Sequence, residues 1–219
     1  MGKGWKVFTI LLVVAVALLS VQIVMMQSKM NAPISLQERG EIVTDVIMTR
    51  SSVRTFSSQP VDEKTIETLL RAGMAAPTAG DKRPWNMIVI TDREVLDAIP
   101  TAAPNASPAA RAQLAIVVCG LPAQSYLENY WIQDCAIVSE NILIAAHGMG
   151  LGAVWCGVYP DNGNGRFEAM SKLLATPEGV VPMNIIAIGY PDSEPNIKDK
   201  WDSSKVHHNI FNTPYFDIQ

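Results

Sequence analysis

Apolar and polar positions follow three different patterns along this chain, and the first is the simplest. From Val7 to Met26 no charged residue occurs, and Leu, Val, Ala, Ile and Met dominate. About 20 such residues is the length of a helix that crosses a hydrocarbon core. The run has no polar face with which to lie on a soluble core. Beyond it, apolar positions recur at helical spacing. Ser35-Leu36-Gln37-Glu38 is a capping-box pattern that opens a helix to about Thr49, with Ile42, Val46 and Ile47 as its apolar stripe. Asp62 to Met74 predicts a second helix, with acids in its first turn and Ile66, Leu69 and Leu70 on one face. Trp131 to His147 carries the strongest helical pattern, with Ile132, Cys135, Ile142, Leu143 and Ala146 inward and Gly148 as its stop. Shorter helices are predicted at Asp92 to Ile99 and Arg166 to Leu174. The third pattern is the short continuous apolar run of a buried strand, at Asn86 to Thr91, Leu114 to Gly120 and Met183 to Gly189. Ala75 to Pro84 reads as a loop of small residues and Thr101 to Pro108 as a mobile Pro/Ala/Ser loop. Ser193 to Gln219 has little periodicity and is expected to wrap over a neighbouring surface. Helices and strands alternate without internal repeats, so the class is α/β or α+β.

A length of 219 residues suits one ordinary domain plus a tail. The division expected is a signal anchor or transmembrane segment at 1–31 and a folded domain at 32–219. Lys3 and Lys6 precede the apolar run, as in a secretory leader or a signal anchor. A small-x-small triplet, Ala15-Val16-Ala17, lies inside the run rather than after it, which favours an uncleaved anchor over a cleaved leader. On the charge rule the two lysines stay in the cytoplasm, so the chain is expected to be membrane-anchored or exported with its folded domain outside. No cysteine directly follows the run, which excludes a lipoprotein anchor.

Charge narrows the chemistry. A net charge of −4 and a pI near 5.4 argue against a nucleic-acid partner held by a basic face. Cys119, Cys135 and Cys156 are far apart among apolar neighbours, with no CxxC or Cys/His cluster, so neither a metal site nor a disulfide framework is indicated. His147, His207 and His208 form no triad with a placed serine or cysteine.

Three segments remain that bear on function. Arg50-Ser51-Ser52-Val53-Arg54 packs two guanidinium groups and two hydroxyls into five residues. Arginine forks suit phosphate oxygens, although basic residues at a helix end also serve simply to satisfy carbonyls. Ala76-Pro77-Thr78-Ala79-Gly80-Asp81-Lys82-Arg83-Pro84-Trp85 lets a flat ligand approach its backbone and offers Asp81 and Arg83 to the ligand's edge; a tight loop feeding a strand has the same composition. Gly148-Met149-Gly150-Leu151-Gly152-Ala153-Val154-Trp155-Cys156-Gly157 contains glycines spaced as in a dinucleotide fingerprint, but it closes a helix instead of opening one.

In this order the three segments resemble the nitroreductase family of FMN enzymes, whose patterns RRSxR, APSxxNxQPW and GLGxxW-I-G appear here as RSSVR, APTAGDKRPW and GLGAVWCGV. A fourth match is Lys198-Asp199-Lys200 followed by Val206-His207-His208-Asn209-Ile210-Phe211, so the resemblance spans about residues 36 to 211. It implies an α+β fold, a mixed sheet flanked by helices, in an intertwined homodimer with FMN at the subunit interface. It also implies that Arg50, Ser51, Ser52 and Arg54 hold FMN, with Lys200 and Lys198 at its phosphate. Pro77, Thr78 and Ala79 would line the isoalloxazine, and Asp81 would meet its pyrimidine edge. Gly157 and Val158 would lie near flavin N5, one of them through a backbone amide. The implied reaction is hydride transfer from NAD(P)H through the flavin to an electron-poor acceptor, nitroaromatic or quinone-like. Dehalogenation, flavin fragmentation or a redox-inert FMN-binding role in the envelope are the other functions such a chain can have. The departures are Ser51 for a second arginine, Asp81 for the usual asparagine and Arg83 for the usual glutamine.

Overall fold

The structure, a computed structural model, describes residues 2–30 and 33–216. The chain divides into two compact units, residues 1–44 and 45–219. The boundary expected at 31/32 lies outside the described residues. In the first unit α1 (Lys3–Met30) contains Phe8–Gln27, a stretch of mean hydropathy 2.7 with no part buried. Length and composition suit it to cross a membrane, a property that signal sequences share. The predicted capping box then starts α2 (Leu36–Thr49). Ser35 N donates to Glu38 Oε2 at 2.8 Å, and Glu38 N donates to Ser35 Oγ at 3.2 Å. These bonds satisfy donors that a helix start leaves unpaired, and the Ser35 hydroxyl, donating to Glu38 Oε2 at 2.7 Å, together with Ser35 N–H holds the Glu38 carboxyl below its usual range. Of the apolar stripe of α2, Ile42 and Ile47 are exposed and Val46 is half-buried beside Gly148, and no residue of this helix is fully buried.

The second unit is built around four strands. Its elements are α3 (Glu63–Met74), β1 (Trp85–Ile90), α4 (Arg93–Ala102), β2 (Leu114–Gly120), α5 (Tyr130–Gly148), β3 (Gly152–Gly157), α6 (Arg166–Leu173) and β4 (Val181–Gly189). The sheet order is β1-β2-β4-β3, and every neighbouring pair is antiparallel. Among the described residues the mixed character expected of the sheet is present only as one isolated parallel bridge, between Ser52 and Ala153. Strand alternation sorts the core onto two faces. Leu114, Ile116 and Val118 of β2 join Ile186 and Ile188 of β4 under α3 and α5. Ala115, Val117 and Cys119 join Ile185 and Ala187 on the other face, against Leu96 and Ile99 of α4 and Met170 of α6. Both faces are covered, which is why these strands read as unbroken apolar runs.

Two segments differ from expectation. Residues 101–108 are ordered helix, not a mobile loop: α4 runs to Ala102 and a 3₁₀ segment follows at Pro104–Arg111. Ala103, Ala106, Ala109 and Ala112 are fully buried. Their spacing of three is the period of a 3₁₀ helix, so one row of methyl groups faces the sheet. The other segment is β3, whose two terminal glycines and ligand-loop composition hide a strand; glycine is depleted in strands for want of a side chain to pack.

Glycine at position 120 is required by a neighbour. A Cβ there would lie 2.0 Å from Cε3 of Trp131, whose ring is itself buried. We predict that Gly120→Ala destabilises the fold by about 1–3 kcal/mol, as overpacking does. For a unit of this size the midpoint of thermal unfolding should then fall by roughly 3–10 °C, read by circular dichroism. Burial also pushes the thiols of Cys119 and Cys135 up to about 12 and that of Cys156 up to about 11, the last despite the nearby Arg54 cation. The reactive thiolate is therefore scarce at pH 8. None of the three cysteines should react with a thiol reagent at that pH until the protein unfolds, when all three should.

Candidate functional site

The segment after α2 is fastened to β3. Val53 N donates to Ala153 O at 3.1 Å beside the Ser52–Ala153 bridge. Gly152 permits this approach, since a Cβ there would come within 2.6 Å of Val53 Cγ1. On the chain's other side the C-terminal segment returns, and Lys200 Nζ donates to Arg50 O at 3.2 Å. A cavity of about 400 Å³ results, lined by Arg50, Ser51, Ser52, Arg54, Asn196, Lys198 and Lys200. The structure thus brings together the predicted pair of segments from opposite ends of the domain. Four cations line the cavity and no carboxylate does.

The cations are held from behind. Glu140 of α5 reaches Arg50 Nε at 3.5 Å, and Arg111 Nε donates to Arg54 O at 3.2 Å. Thr49, which ends α2, donates its hydroxyl to Asp45 O and lies 2.9 Å from His147 Nε2. Asn196, Arg111, Glu140 and His147 were not among the residues expected here, and single polar residues on helix faces or in an aperiodic tail carry no sequence signal.

The second predicted segment forms a separate group. Pro77 is exposed and Thr78 and Ala79 are half-buried. Gly80, Asp81 and Arg83 all adopt left-handed backbone, with φ of 59°, 54° and 49°. Thr78 Oγ1 accepts from Arg83 N at 3.1 Å, and Asp134 Oδ1 on α5 accepts from Ala79 N at 3.3 Å. Tyr126 lies directly over Gly80, where a Cβ would be 2.6 Å from its ring. Asp81 and Arg83 form a two-pronged ion pair, Nε to Oδ1 at 2.9 Å and Nη2 to Oδ2 at 3.0 Å, with both side chains largely exposed. The carboxylate charge is therefore matched within the loop.

The third segment ends in Gly157 and Val158. Val158 is fully buried and its N–H already donates to Met183 O at 2.9 Å. Of the two residues only Gly157 retains some exposure, and its carbonyl accepts from Asn105 Nδ2 at 2.9 Å. An amide contact from Val158 to a ligand is thus not supported by the geometry.

Comparison with known proteins agrees with this arrangement. A protein of Methanothermobacter thermautotrophicus with the provisional name NADH dehydrogenase/NAD(P)H nitroreductase is 41% identical over 165 residues, covering 75% of this chain and 85% of its own. The crystal structure of a Parabacteroides distasonis protein with the same provisional name superposes with a TM-score of 0.73 at 41% identity, covering 77% of this chain and 98% of that one. An FMN-dependent nitroreductase from Clostridium difficile superposes with a TM-score of 0.72 at 27% identity, over 77% of this chain and 99% of that one. The nitroreductase family model matches residues 47–130 and 124–190, a span that holds RSSVR, the 76–85 loop and β3, and the chain belongs to the nitroreductase family.

Proposed function

We propose that the chain is an NAD(P)H-dependent flavin oxidoreductase that holds FMN with its phosphate in the basic cavity. The observation that carries this is the cavity's composition: Arg50, Arg54, Lys198 and Lys200 surround one space without a carboxylate among its lining residues. Four like charges repel one another, and a terminal phosphate with nearly two negative charges relieves the repulsion. Ser51, Ser52 and Asn196 add neutral donors for phosphate or polyol oxygens. The family membership and the names of the relatives point the same way. When bound, FMN supplies the two-electron chemistry, accepting hydride from a reduced nicotinamide and passing electrons to an electron-poor acceptor of nitroaromatic or quinone type.

The chain's own residues would then orient the group. Pro77, Thr78 and Ala79 present small side chains and backbone to the flat ring, while Gly157 offers close approach at the end of β3. Asp81 carries less field to the ring than a lone carboxylate, because Arg83 matches its charge. Among the described residues no hydrogen bond joins the lining of the basic cavity to the loop, although both are tied to α5, Arg50 through Glu140 and Ala79 through Asp134. We propose a homodimer in which a second copy completes each site. Ile47 at 50% and Met48 at 67% exposure, at the end of α2, supply apolar surface for such a contact.

Two experiments test the proposal. Arg54→Ala in the full-length chain should weaken FMN binding by roughly 10- to 100-fold, since a charge-assisted bond contributes about 1.5–3 kcal/mol. Arg50→Ala should weaken it less, because that guanidinium is shared with Glu140. Unchanged flavin affinity in both variants would overturn the phosphate assignment. We also propose that α1 holds the enzyme on a membrane. The full-length protein should sediment with membranes and resist extraction by salt or alkaline carbonate; recovery as a soluble, N-terminally shortened protein would show a cleaved leader instead.

A further inference from the structure

Asp134 is the one charged side chain among the buried described residues, at 3% exposure. It sits in the early part of α5, between the core residues Trp131 and Cys135. Burial of a carboxylate is costly unless its oxygens are hydrogen-bonded. Here Oδ1 accepts from Ala79 N at 3.3 Å, while Oδ2 is shielded from solvent and has no partner. An apolar residue would serve the core of α5 at lower cost. The retention of a carboxylate therefore calls for a task outside packing, and its one bond shows where that task lies.

The bond reaches a loop that is unfavourable by itself. Three of the four residues from Gly80 to Arg83 are left-handed, and two of those, Asp81 and Arg83, are not glycine. Such backbone persists only where its surroundings over-determine it. Thr78 and the Asp81–Arg83 pair brace the loop from within, and Tyr126 covers Gly80. Asp134 supplies the polar tie to the fold's rigid interior, and it takes hold at Ala79, the first residue of the turn.

We propose that Asp134 is a positioning residue for the flavin reaction, anchoring residues 78–83 to α5 so that the loop meets the ring in one fixed conformation. This rests on the flavin reading given above. The carboxylate acts through Ala79 and does not touch the cofactor. What the loop needs from position 134 is an acceptor at Oδ1, so an amide in place of the carboxylate should suffice and an aliphatic side chain should not.

The test uses the full-length protein in detergent, with Asp134→Asn, Asp134→Ala and Ala79→Pro. The last removes the donor from the other end of the bond at the start of a helical turn, where proline is tolerated. Amide exchange at Ala79 in the apoprotein should accelerate about tenfold or more in Asp134→Ala and stay near wild type in Asp134→Asn. In the flavin-loaded proteins, Asp134→Ala and Ala79→Pro should bind FMN about tenfold more weakly and show an altered flavin absorbance envelope. Asp134→Asn should restore both. Unaltered exchange in Asp134→Ala would overturn the anchor. Faster exchange with wild-type affinity and spectrum would overturn its role toward the flavin. If Asp134→Ala does not fold, Ala79→Pro and Asp134→Asn still decide, since wild-type affinity and spectrum in Ala79→Pro would sink the proposal. A wild-type chain that takes up no FMN would overturn the flavin reading itself, and the apoprotein exchange keeps that failure distinct from a failure of the anchor.

Discussion

The attachment of Val53 to Ala153 is the contact on which the basic cavity depends. One backbone hydrogen bond and one parallel bridge carry the segment after α2 along β3. Such a bond contributes only about 0.5–1.5 kcal/mol net. Against it stand four cations around a single space. Two unit charges on the order of 8 Å apart repel by roughly 2 kcal/mol at an effective dielectric near 20, and solvent screens exposed pairs further. The attachment survives because its neighbours support it: Gly152 leaves room for Val53, Glu140 offsets Arg50, and Arg111 and Lys200 bond the carbonyls of Arg54 and Arg50. A bound anion adds to the same side of the balance, so occupancy of the cavity and stability of this corner of the fold are linked.

The sequence shows the parts of the fold whose patterns match one period and one environment. The capping box at Ser35 and Glu38, the acids opening α3 and the stripe of α5 are local devices, and all three appear where they were expected. β2 and β4 are legible because helices cover both faces of the sheet. The pattern fails where two codes overlap. Residues 103–112 carry a period of three in alanine, a residue too small to show on a scale tuned to large apolar side chains. β3 has glycine at both ends because Val53 packs against one of them, and that demand overrides strand propensity. Helix–strand alternation is equally uninformative about strand direction, which here is antiparallel at every ladder.

The candidate site divides along the same line. Clusters announce themselves: RSSVR and the lysines at 198 and 200 are visible as charge density, although 150 residues separate Arg50 from Lys200. Their convergence on one cavity came into view only through the family resemblance, since no spacing rule spans that distance. The supporting residues are invisible for a different reason. Asp134 lies near the start of a helix, where an acid is ordinary for electrostatic reasons alone, and only its burial separates it from that role. Val158 shows the converse. The family pattern nominates an amide of Gly157 or Val158, and the β4 carbonyl of Met183 accepts from that of Val158.

The apolar helix and the basic cavity bear on each other through the chemistry of the electron donor. The outward placement of the folded domain was inferred from Lys3 and Lys6 alone. The charge rule counts basic residues on both flanks of a span, within about 15–20 residues of its ends. Beyond Gln27 stand Lys29 and Arg39, so each flank carries two such residues and the rule selects neither orientation. The proposed electron donor is then the stronger constraint. Reduced nicotinamide is a cytoplasmic metabolite with no favourable route through a hydrocarbon core, because its phosphates carry charge. If the proposed NAD(P)H-linked flavin site is right, the folded domain belongs on the cytoplasmic face, and an outward-facing domain requires a different reductant at the same cavity.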